Sequence, residues 1–237
     1  NGIQVDQSLK WDGEKLIPYT LATTTTSITK QGQVLETLTG VCDGRTVIVE
    51  SGSYTLPNVT AYQDTTTSWT DVAGSSISYT PPSGTKQVIF EFHLSLSSNT
   101  GSKAIMLFKL LIDGISVTSQ NQEWGDDTNT YGDNIFYRSI IDITGTNDVA
   151  NGKLESWNSN KTIKLQVVNL SGFDGRLHAN YFGGLSSNSS ATHNLIKPRL
   201  KITSIGESSG QAVTLTNNSV SDLSDISFNS TSTTNGQ

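Results

Sequence analysis

Residues 86–98, KQVIFEFHLSLSS, alternate between apolar and polar side chains. The apolar positions are Val88, Phe90, Phe92, Leu94 and Leu96, and the positions between them are Gln87, Ile89, Glu91, His93 and Ser95. Because a β-strand points successive side chains to opposite faces, this pattern predicts a strand that packs on a core with one side.

A second strong signal is Asp113-Gly114, which lies between two apolar runs. Both central residues of a type I′ turn need a positive φ, so this dipeptide predicts a β-hairpin of Ala104–Ile112 and Ile115–Thr118. Further strand-like runs are TVIVE, YTLP, ISYT, NIFYRSIIDIT, KTIKLQVVNL, GRLHANYF and KPRLKITSIG. They follow one another between Cys42 and Gly206 with turn residues between them, which predicts an all-β sandwich, barrel or jelly roll.

The composition excludes several classes of protein. A net charge of −6 and a pI near 5.0 argue against a nucleic-acid partner, because such surfaces are normally basic. The single cysteine, Cys42, rules out a disulfide within the chain and zinc sites built on cysteine pairs. No stretch approaches the roughly 20 apolar residues of a membrane-spanning helix, so membrane insertion is not expected.

Both ends of the chain differ from its middle. Residues 1–41 lack apolar periodicity, and residues 208–237 are rich in Ser, Thr and Asn with scattered single apolar side chains. Such segments bury too little apolar surface to fold alone. We therefore predict an extended N-terminal segment over 1–41, a β-rich head over 42–207, and an extended C-terminal segment over 208–237.

The end segments resemble a short repeat of phage and large-virus fibre proteins. Residues 222–237, DLSDISFNSTSTTNGQ, resemble its first half, and residues 8–19, SLKWDGEKLIPY, resemble its second half. Leu9, Trp11, Asp12, Gly13 and Pro18 stand in the expected order, although Leu16 replaces a common aromatic residue and the preceding spacer is longer. The resemblance implies a piece of a longer fibre, with a head inserted between the two halves of a repeat.

The middle of the chain is similar to β-rich heads of viral appendage proteins, which have a TNF/C1q-like jelly-roll sandwich and usually form trimers. The resemblance is carried by residues 40–60, GVCDGRTVIVESGSYTLPNVT, and 69–92, WTDVAGSSISYTPPSGTKQVIFEF. It implies a homotrimeric structural protein of the virion surface that contacts other virion proteins and attaches to a host glycan or protein receptor. A catalytic role is not implied.

The candidate ligand-binding residues lie in the polar segment 121–134, NQEWGDDTNTYGDN. Aromatic rings beside carboxylates and amides suit sugar binding, so we expect Trp124, Asp126, Asp127, Tyr131 and Asp133 to form the site. Asp126, Asp127 and Asp133 could also hold Ca²⁺, which prefers several oxygen ligands, although the spacing is not that of an EF-hand. The alternative is a solvated loop with a partly buried Trp124.

Little in the sequence indicates an enzyme. His93, His178 and His193 accompany no nucleophile motif and are expected at the surface or at a subunit interface. Asp126 and Asp127 are adjacent, and adjacent side chains on a strand point apart. Two alternatives to a viral fibre remain: a carbohydrate-binding domain of a bacterial surface protein, and a fibre-borne glycan depolymerase.

The aromatic residues of the strand-like runs are expected in the core or at subunit contacts; they are Phe90, Phe92, Phe108, Phe136, Tyr137 and Trp157.

Overall fold

The structure is a computed structural model of the 237-residue chain, and it describes residues 7–11, 13–20, 29–98, 105–125, 133–170, 175–182 and 192–209. The chain divides into two compact units. One is Lys30–Ser208, and the other combines Asn1–Thr29 with Ser209–Gln237. The larger unit therefore begins before the predicted start of the head at residue 42.

The described secondary structure is almost entirely β-strand. In the smaller unit, β1 (Gln7–Trp11) and β2 (Leu16–Thr20) form an antiparallel pair. The remaining strands, in chain order, are β3 (Thr29–Val41), β4 (Thr46–Val49), β5 (Gly52–Thr55), β6 (Gln63–Asp64), β7 (Thr70–Asp71), β8 (Ile77–Tyr79), β9 (Thr85–Ser98), β10 (Ile105–Ile112), β11 (Ile115–Ser116), β12 (Gln122–Gly125), β13 (Asp133–Ile143), β14 (Lys153–Leu154), β15 (Lys161–Asn169), β16 (Gly175–Leu177), β17 (Ala179–Phe182), β18 (Thr192–Leu195) and β19 (Arg199–Ser209).

The helical content of the described residues is limited to two 3₁₀ turns, Thr118–Gln120 and Val149–Asn151. The all-β prediction is confirmed. Nowhere in the described ranges is there a helix with the length and apolar character needed to cross a membrane.

Two large sheets dominate the unit Lys30–Ser208. In the six-stranded sheet the order is β11-β10-β15-β7, with β12 also paired to β10 and β8 to β15. In the seven-stranded sheet the order is β14-β13-β9-β16-β6, with β19 joining β9 to β3. Two short antiparallel pairs, β4 with β5 and β17 with β18, complete the described strands of this unit.

The core lies between the two large sheets and follows the predicted alternation. Phe90, Phe92 and Leu94 of β9 are buried, whereas His93 is exposed and Glu91 is only partly covered. The six-stranded sheet contributes fully buried side chains to the same cluster, Phe108 and Leu110 among them. Two sheets with apolar inner faces around one core form a sandwich, so this part of the prediction is confirmed.

The predicted hairpin at Asp113-Gly114 is also confirmed. Asp113 has φ +48° and Gly114 has φ +82°, as a type I′ turn requires. Leu111 pairs with Ser116 and Ile112 pairs with Ile115 across the turn.

Residues 29–41 are a strand of the sandwich, which corrects the expectation that they belong to a linker. β3 pairs with β19, and its Leu38 side chain is fully buried in the core. The buried Glu36 carboxylate accepts hydrogen bonds from the Tyr79 hydroxyl at 2.6 Å and the Ser51 backbone N–H at 2.8 Å. Thr and Gln dilute the apolar pattern of this strand, because only one of its faces meets the core.

Candidate functional site

The structure describes both ends of the predicted binding segment, Asn121–Gly125 and Asp133–Asn134. Residues Gln122–Gly125 form strand β12 and Asp133 begins β13, so Trp124 and Asp133 lie on strands and not in a loop as expected. Asp126, Asp127 and Tyr131 lie outside the described residues.

The position of Trp124 follows from strand pairing. Trp124 lies opposite Met106, and Gln122 lies opposite Phe108 on the neighbouring β10. Met106 and Phe108 are fully buried between the sheets. Because directly paired residues share a face, Trp124 and Gln122 point toward the interior, while Glu123 points outward and is exposed. Trp124 therefore packs against the edge of the core, half-buried.

A hydrogen bond joins the two predicted site residues across the sandwich. The indole Nε1–H of Trp124 donates to Oδ2 of Asp133 at 2.7 Å. The other oxygen, Oδ1, accepts the backbone N–H of Asn134 at 2.7 Å. Trp124 belongs to the six-stranded sheet and Asp133 to the seven-stranded sheet, so this bond fixes the indole plane at the open edge between them.

A groove of about 310 Å³ lies along this edge. Phe136 forms one wall with a side chain that is 45% exposed, and the ring of His93 meets it edge-on at 4.3 Å between centroids. The groove is lined by Phe108, Gln122, Glu123, Trp124, Asn134, Ile135 and Phe136. It combines exposed aromatic surface with amide and carboxylate groups.

The polar groups of the groove are partly uncommitted. Ser95 donates its hydroxyl to Oδ1 of Asn134 at 2.9 Å, which orients the amide. The Nδ2 group of Asn134 has no hydrogen-bond partner within the described residues, and the same is true of the Glu123 carboxylate. As far as the described residues go, the Nδ2 group is available as a donor and the carboxylate as an acceptor.

Beside the groove, no described strand pairs with the outer edge of β13. Asp142 donates its backbone N–H to Gly152 at 2.8 Å, and Ile140 bonds to the Gln120 side chain on the same side of the strand. Backbone polar groups alternate along a strand, so those of Phe136 and Arg138 also face this side. In the described part of the chain they have no strand partner there, so they add a donor and an acceptor near the groove.

The calcium expectation receives no test from the described ranges. Within these ranges no group of three or more His, Cys, Asp or Glu side chains is arranged to hold a metal ion. Both carboxylate oxygens of Asp133 already accept hydrogen bonds, from Trp124 and from Asn134. A site that uses Asp126 and Asp127 stays a prediction.

Of the residues that line the groove, the sequence predicted only Trp124 as a site residue, and Asn134 and Phe136 are among those that it missed. Phe136 was expected in the core or at a subunit contact, but it lies on the exposed face of β13, whereas its neighbour Tyr137 is fully buried. In the run Ile135-Phe136-Tyr137 the odd-numbered and even-numbered positions are both apolar. Alternation alone therefore does not show which side chains face the core. Phe90, Phe92, Phe108 and Trp157 are buried as predicted.

Comparison with known proteins gives little beyond the geometry. No family of known proteins matches the chain, and no curated protein matches its sequence. Among solved structures, it is similar to infectious bursal disease virus, Gx strain, with a TM-score of 0.27 and 9% identity over 83% of this chain and 37% of that chain. It is also similar to the structure of the Gt strain of this virus, with a TM-score of 0.27 and 9% identity over 86% of this chain and 43% of that chain. The chain spans less than half of either matched chain, and so low a TM-score carries no argument about function.

Proposed function

We propose that this chain is a β-sandwich module of a virion structural protein, a fibre or spike head that attaches to a host glycan through the groove beside Trp124. The observation that carries the proposal is the bond from Trp124 Nε1 to Asp133 Oδ2 at 2.7 Å. It fixes an indole at the edge of the sandwich, in a groove that also contains the exposed ring of Phe136 and the Asn134 amide, whose Nδ2 has no partner among the described residues.

Sugar binding is favoured by the chemistry of these side chains. A pyranose ring presents an apolar C–H face that packs on an aromatic ring, and its hydroxyls need donors and acceptors around their rim. Trp124 and Phe136 supply the rings. Asn134 supplies a donor and Glu123 supplies acceptors, and neither the Asn134 Nδ2 group nor the Glu123 carboxylate is hydrogen-bonded to another described residue. Preorganised groups of this kind reduce the entropic cost of association.

The virion assignment is supported by the resemblance of residues 8–19 and 222–237 to a viral fibre repeat. An exposed all-β head that binds glycans weakly gains adhesion when copies act together. The same groove would serve the alternative, a carbohydrate-binding domain of a bacterial surface protein. The two assignments differ in the sequence context of the chain and not in the chemistry of the groove.

The exposed face of the seven-stranded sheet is the surface that we propose for subunit contact in a homotrimer. Ile140, which is 36% exposed, is aligned with Ile89 and Thr203 across β13, β9 and β19, and these two residues are each only 8% exposed. In the next row, Glu91 lies between Arg138 at 3.8 Å and Lys201 at 2.8 Å. The cationic side chains limit repulsion between copies of a chain whose net charge is −6. These cations favour the approach of a second copy to this face.

The glycan proposal is tested by a glycan array followed by titration calorimetry on hits, using wild type, Trp124→Ala and Phe136→Ala. Trp69→Ala is the matched control, because Trp69 is an exposed tryptophan, 37% accessible, that covers Lys109 elsewhere on the sandwich. We expect both groove variants to lose at least about tenfold in affinity, as for one lost stacking contact, and Trp69→Ala to bind like wild type. A wild type that binds no glycan, or groove variants that bind normally, would refute the proposal.

Calorimetry in the presence of Ca²⁺ and of a chelator tests whether glycan binding needs calcium. Analysis of the glycan for cleavage after incubation with the protein tests the depolymerase alternative.

The trimer is tested by native mass spectrometry. We expect a mass of three chains for wild type and of one chain for Ile140→Glu, which places a charge on the proposed contact face. Ile48→Glu is the control, because Ile48 is an exposed apolar side chain of β4, on a different surface. A wild-type mass of one chain would contradict the trimer and leave the glycan proposal standing.

A further inference from the structure

We infer that the groove beside Trp124 selects sugars by charge: it binds uncharged glycans and discriminates against those that carry a carboxylate or a sulfate next to the bound ring. This inference rests on the proposed glycan-binding function. It adds a ligand class that neither the fold nor the aromatic rings define.

The first observation is the sign of the charge around the groove. Residues 122–134 contain no lysine or arginine. Within the groove lining, Glu123 is the one ionisable side chain, and it is exposed, with no ion pair within the described residues. Asp133 lies immediately behind Trp124 and accepts two hydrogen bonds from neutral donors, so its negative charge is not neutralised.

The second observation is that no lysine or arginine belongs to the groove lining, and that the two nearest along β13 and β10 contact other groups. Arg138, two residues beyond Phe136, has its Nε 3.8 Å from the Glu91 carboxylate on the exposed face of the sheet. Lys109 of β10 places its ammonium 4.0 Å from the centroid of the Trp69 ring. Neither side chain lines the groove, so Glu123 is the one charged side chain of the lining that an acidic sugar would meet.

The third observation is that the groove can satisfy an uncharged sugar. The Nδ2 donor of Asn134 and the carboxylate of Glu123 can bond to hydroxyls, and the rings of Trp124 and Phe136 can cover the C–H faces. A carboxylate accepts hydrogen bonds and donates none, so Glu123 can recognise a hydroxyl or N-acetyl N–H group but not another anion. Hydroxyl recognition and anion exclusion therefore come from the same side chain.

The test uses pairs of glycans that are identical except for a terminal sialic acid or a sulfate on the residue that enters the groove. Affinities of wild type and Glu123→Gln are compared by calorimetry at ionic strengths of about 0.01 M and about 1 M, where the Debye lengths are about 30 Å and 3 Å. Glu50→Gln is the matched control, because Glu50 is an exposed carboxylate at the turn between β4 and β5.

We expect wild type to bind the uncharged member on the order of tenfold more tightly at low salt, with a smaller ratio at high salt. Glu123→Gln should reduce the low-salt ratio severalfold while Glu50→Gln leaves it unchanged. Equal or tighter binding of the acidic member, or a ratio that Glu123→Gln does not alter, would overturn the inference while the glycan proposal stands. If wild type binds neither member of the pair, both this inference and the glycan proposal are overturned. Where binding is seen, its loss in Trp124→Ala shows that it takes place in the groove beside Trp124.

Discussion

Gln120 completes the outer edge of β13 by bonding with its side chain to the backbone of Ile140. Its Oε1 accepts the Ile140 N–H at 2.7 Å, and its Nε2 donates to the Ile140 carbonyl at 2.6 Å. These are the two bonds that a neighbouring strand would make to that residue. The hydroxyl of Ser139 also donates to Oε1, at 2.7 Å. Among the described residues, this edge thus has a hydrogen-bond partner at Ile140 and none at Phe136, beside the groove.

Removing this side chain should loosen β13. Gln120→Ala leaves the Ile140 backbone groups and the buried Ser139 hydroxyl without their partner, so we expect a loss of about 1–3 kcal/mol in the free energy of unfolding. Urea denaturation measures the loss, and hydrogen exchange should show faster exchange at the Ile140 amide. Gln120→Glu keeps the acceptor and removes the donor, so it should fall between wild type and Gln120→Ala. Unchanged exchange at Ile140 in Gln120→Ala would show that the edge is held by something else.

The bond between Trp124 and Asp133 should appear as an energetic coupling between the two residues. We expect a double-mutant cycle with Trp124→Phe and Asp133→Ala to give a coupling of about 1 kcal/mol, since a partly exposed bond to a carboxylate is weaker than a buried one. Chemical denaturation of the four proteins provides the measurement. Additive effects, within about 0.3 kcal/mol, would mean that the indole is not held by Asp133.

His178 is fully buried, which corrects the expectation of a surface or interface histidine. It separates β16 from β17 with φ +62°, and its ring meets Phe92 edge-on at 6.4 Å. Neither ring nitrogen has a hydrogen-bond partner within the described residues. Burial lowers the pKa of His178 to about 4, and an interaction with the Ala73 backbone offsets only part of that effect.

This depressed pKa predicts a loss of stability in acid. The unfolded chain binds a proton near the ordinary pKa of 6.5 and the folded chain only near pH 4, so stability falls as the pH is lowered from 6.5 to 4. The difference in pKa corresponds to a loss of about 3 kcal/mol from this residue at the acid end of that range. His178→Asn, which tolerates the positive φ, and His178→Phe, which keeps a ring, should both be less sensitive to pH over this range. Parallel stability curves for wild type and both variants would contradict the assignment.

The sequence was most informative where a strand has one buried face and one solvated face. The alternation in residues 86–98 and the turn at Asp113-Gly114 predicted β9 and the β10–β11 hairpin, because burial imposes a period of two and a tight turn imposes positive φ. The run GRLHANYF was read as one strand, but His178 breaks it into β16 and β17. A histidine in the left-handed conformation is uncommon, and the residues next to His178 in the sequence give no signal that predicts its positive φ.

The predicted binding segment, residues 121–134, shows more clearly what a single sequence cannot predict. The sequence predicted Trp124 and Asp133 as two of five candidate ligand-binding residues, and the packing of the two sheets brings these two within hydrogen-bond distance. The contribution of Phe136 depends on which face of β13 it occupies. That depends on the register between β13 and β9, which places Phe136 opposite His93. Register depends on pairing with a strand that is distant in sequence. The local pattern of β13 does not predict that pairing, because odd-numbered and even-numbered positions are both apolar.

Cys42 should be chemically inert in the folded protein. Its buried thiol lies 3.3 Å from the Gly74 carbonyl, and burial, followed by the negative charge of Asp43, raises its pKa to about 12. At pH 8 only about one thiol in 10⁴ is then ionised, whereas a free cysteine is roughly one-quarter ionised. We expect iodoacetamide to leave native Cys42 unmodified over hours and to modify it within minutes in urea, as followed by mass spectrometry. Rapid labelling of the native protein would show that the core opens at Cys42.

Gly206 of β19 should not accept a side chain. The register of β19 against β9 shifts between Ile205 and Gly206, and a Cβ at residue 206 would clash with the Gly84 carbonyl and lie 2.8 Å from the Thr85 Cα. Both are backbone atoms, so the strand itself must move, and we expect Gly206→Ala to lower the free energy of unfolding by about 1–3 kcal/mol. Gly125→Ala is the matched control, because a Cβ there would meet only Ile105 Cγ1, at 3.9 Å, and stability should stay within about 0.5 kcal/mol of wild type. If thermal denaturation shows equal stability for both variants, the close approach of β19 to the turn before β9 is not a constraint on the fold.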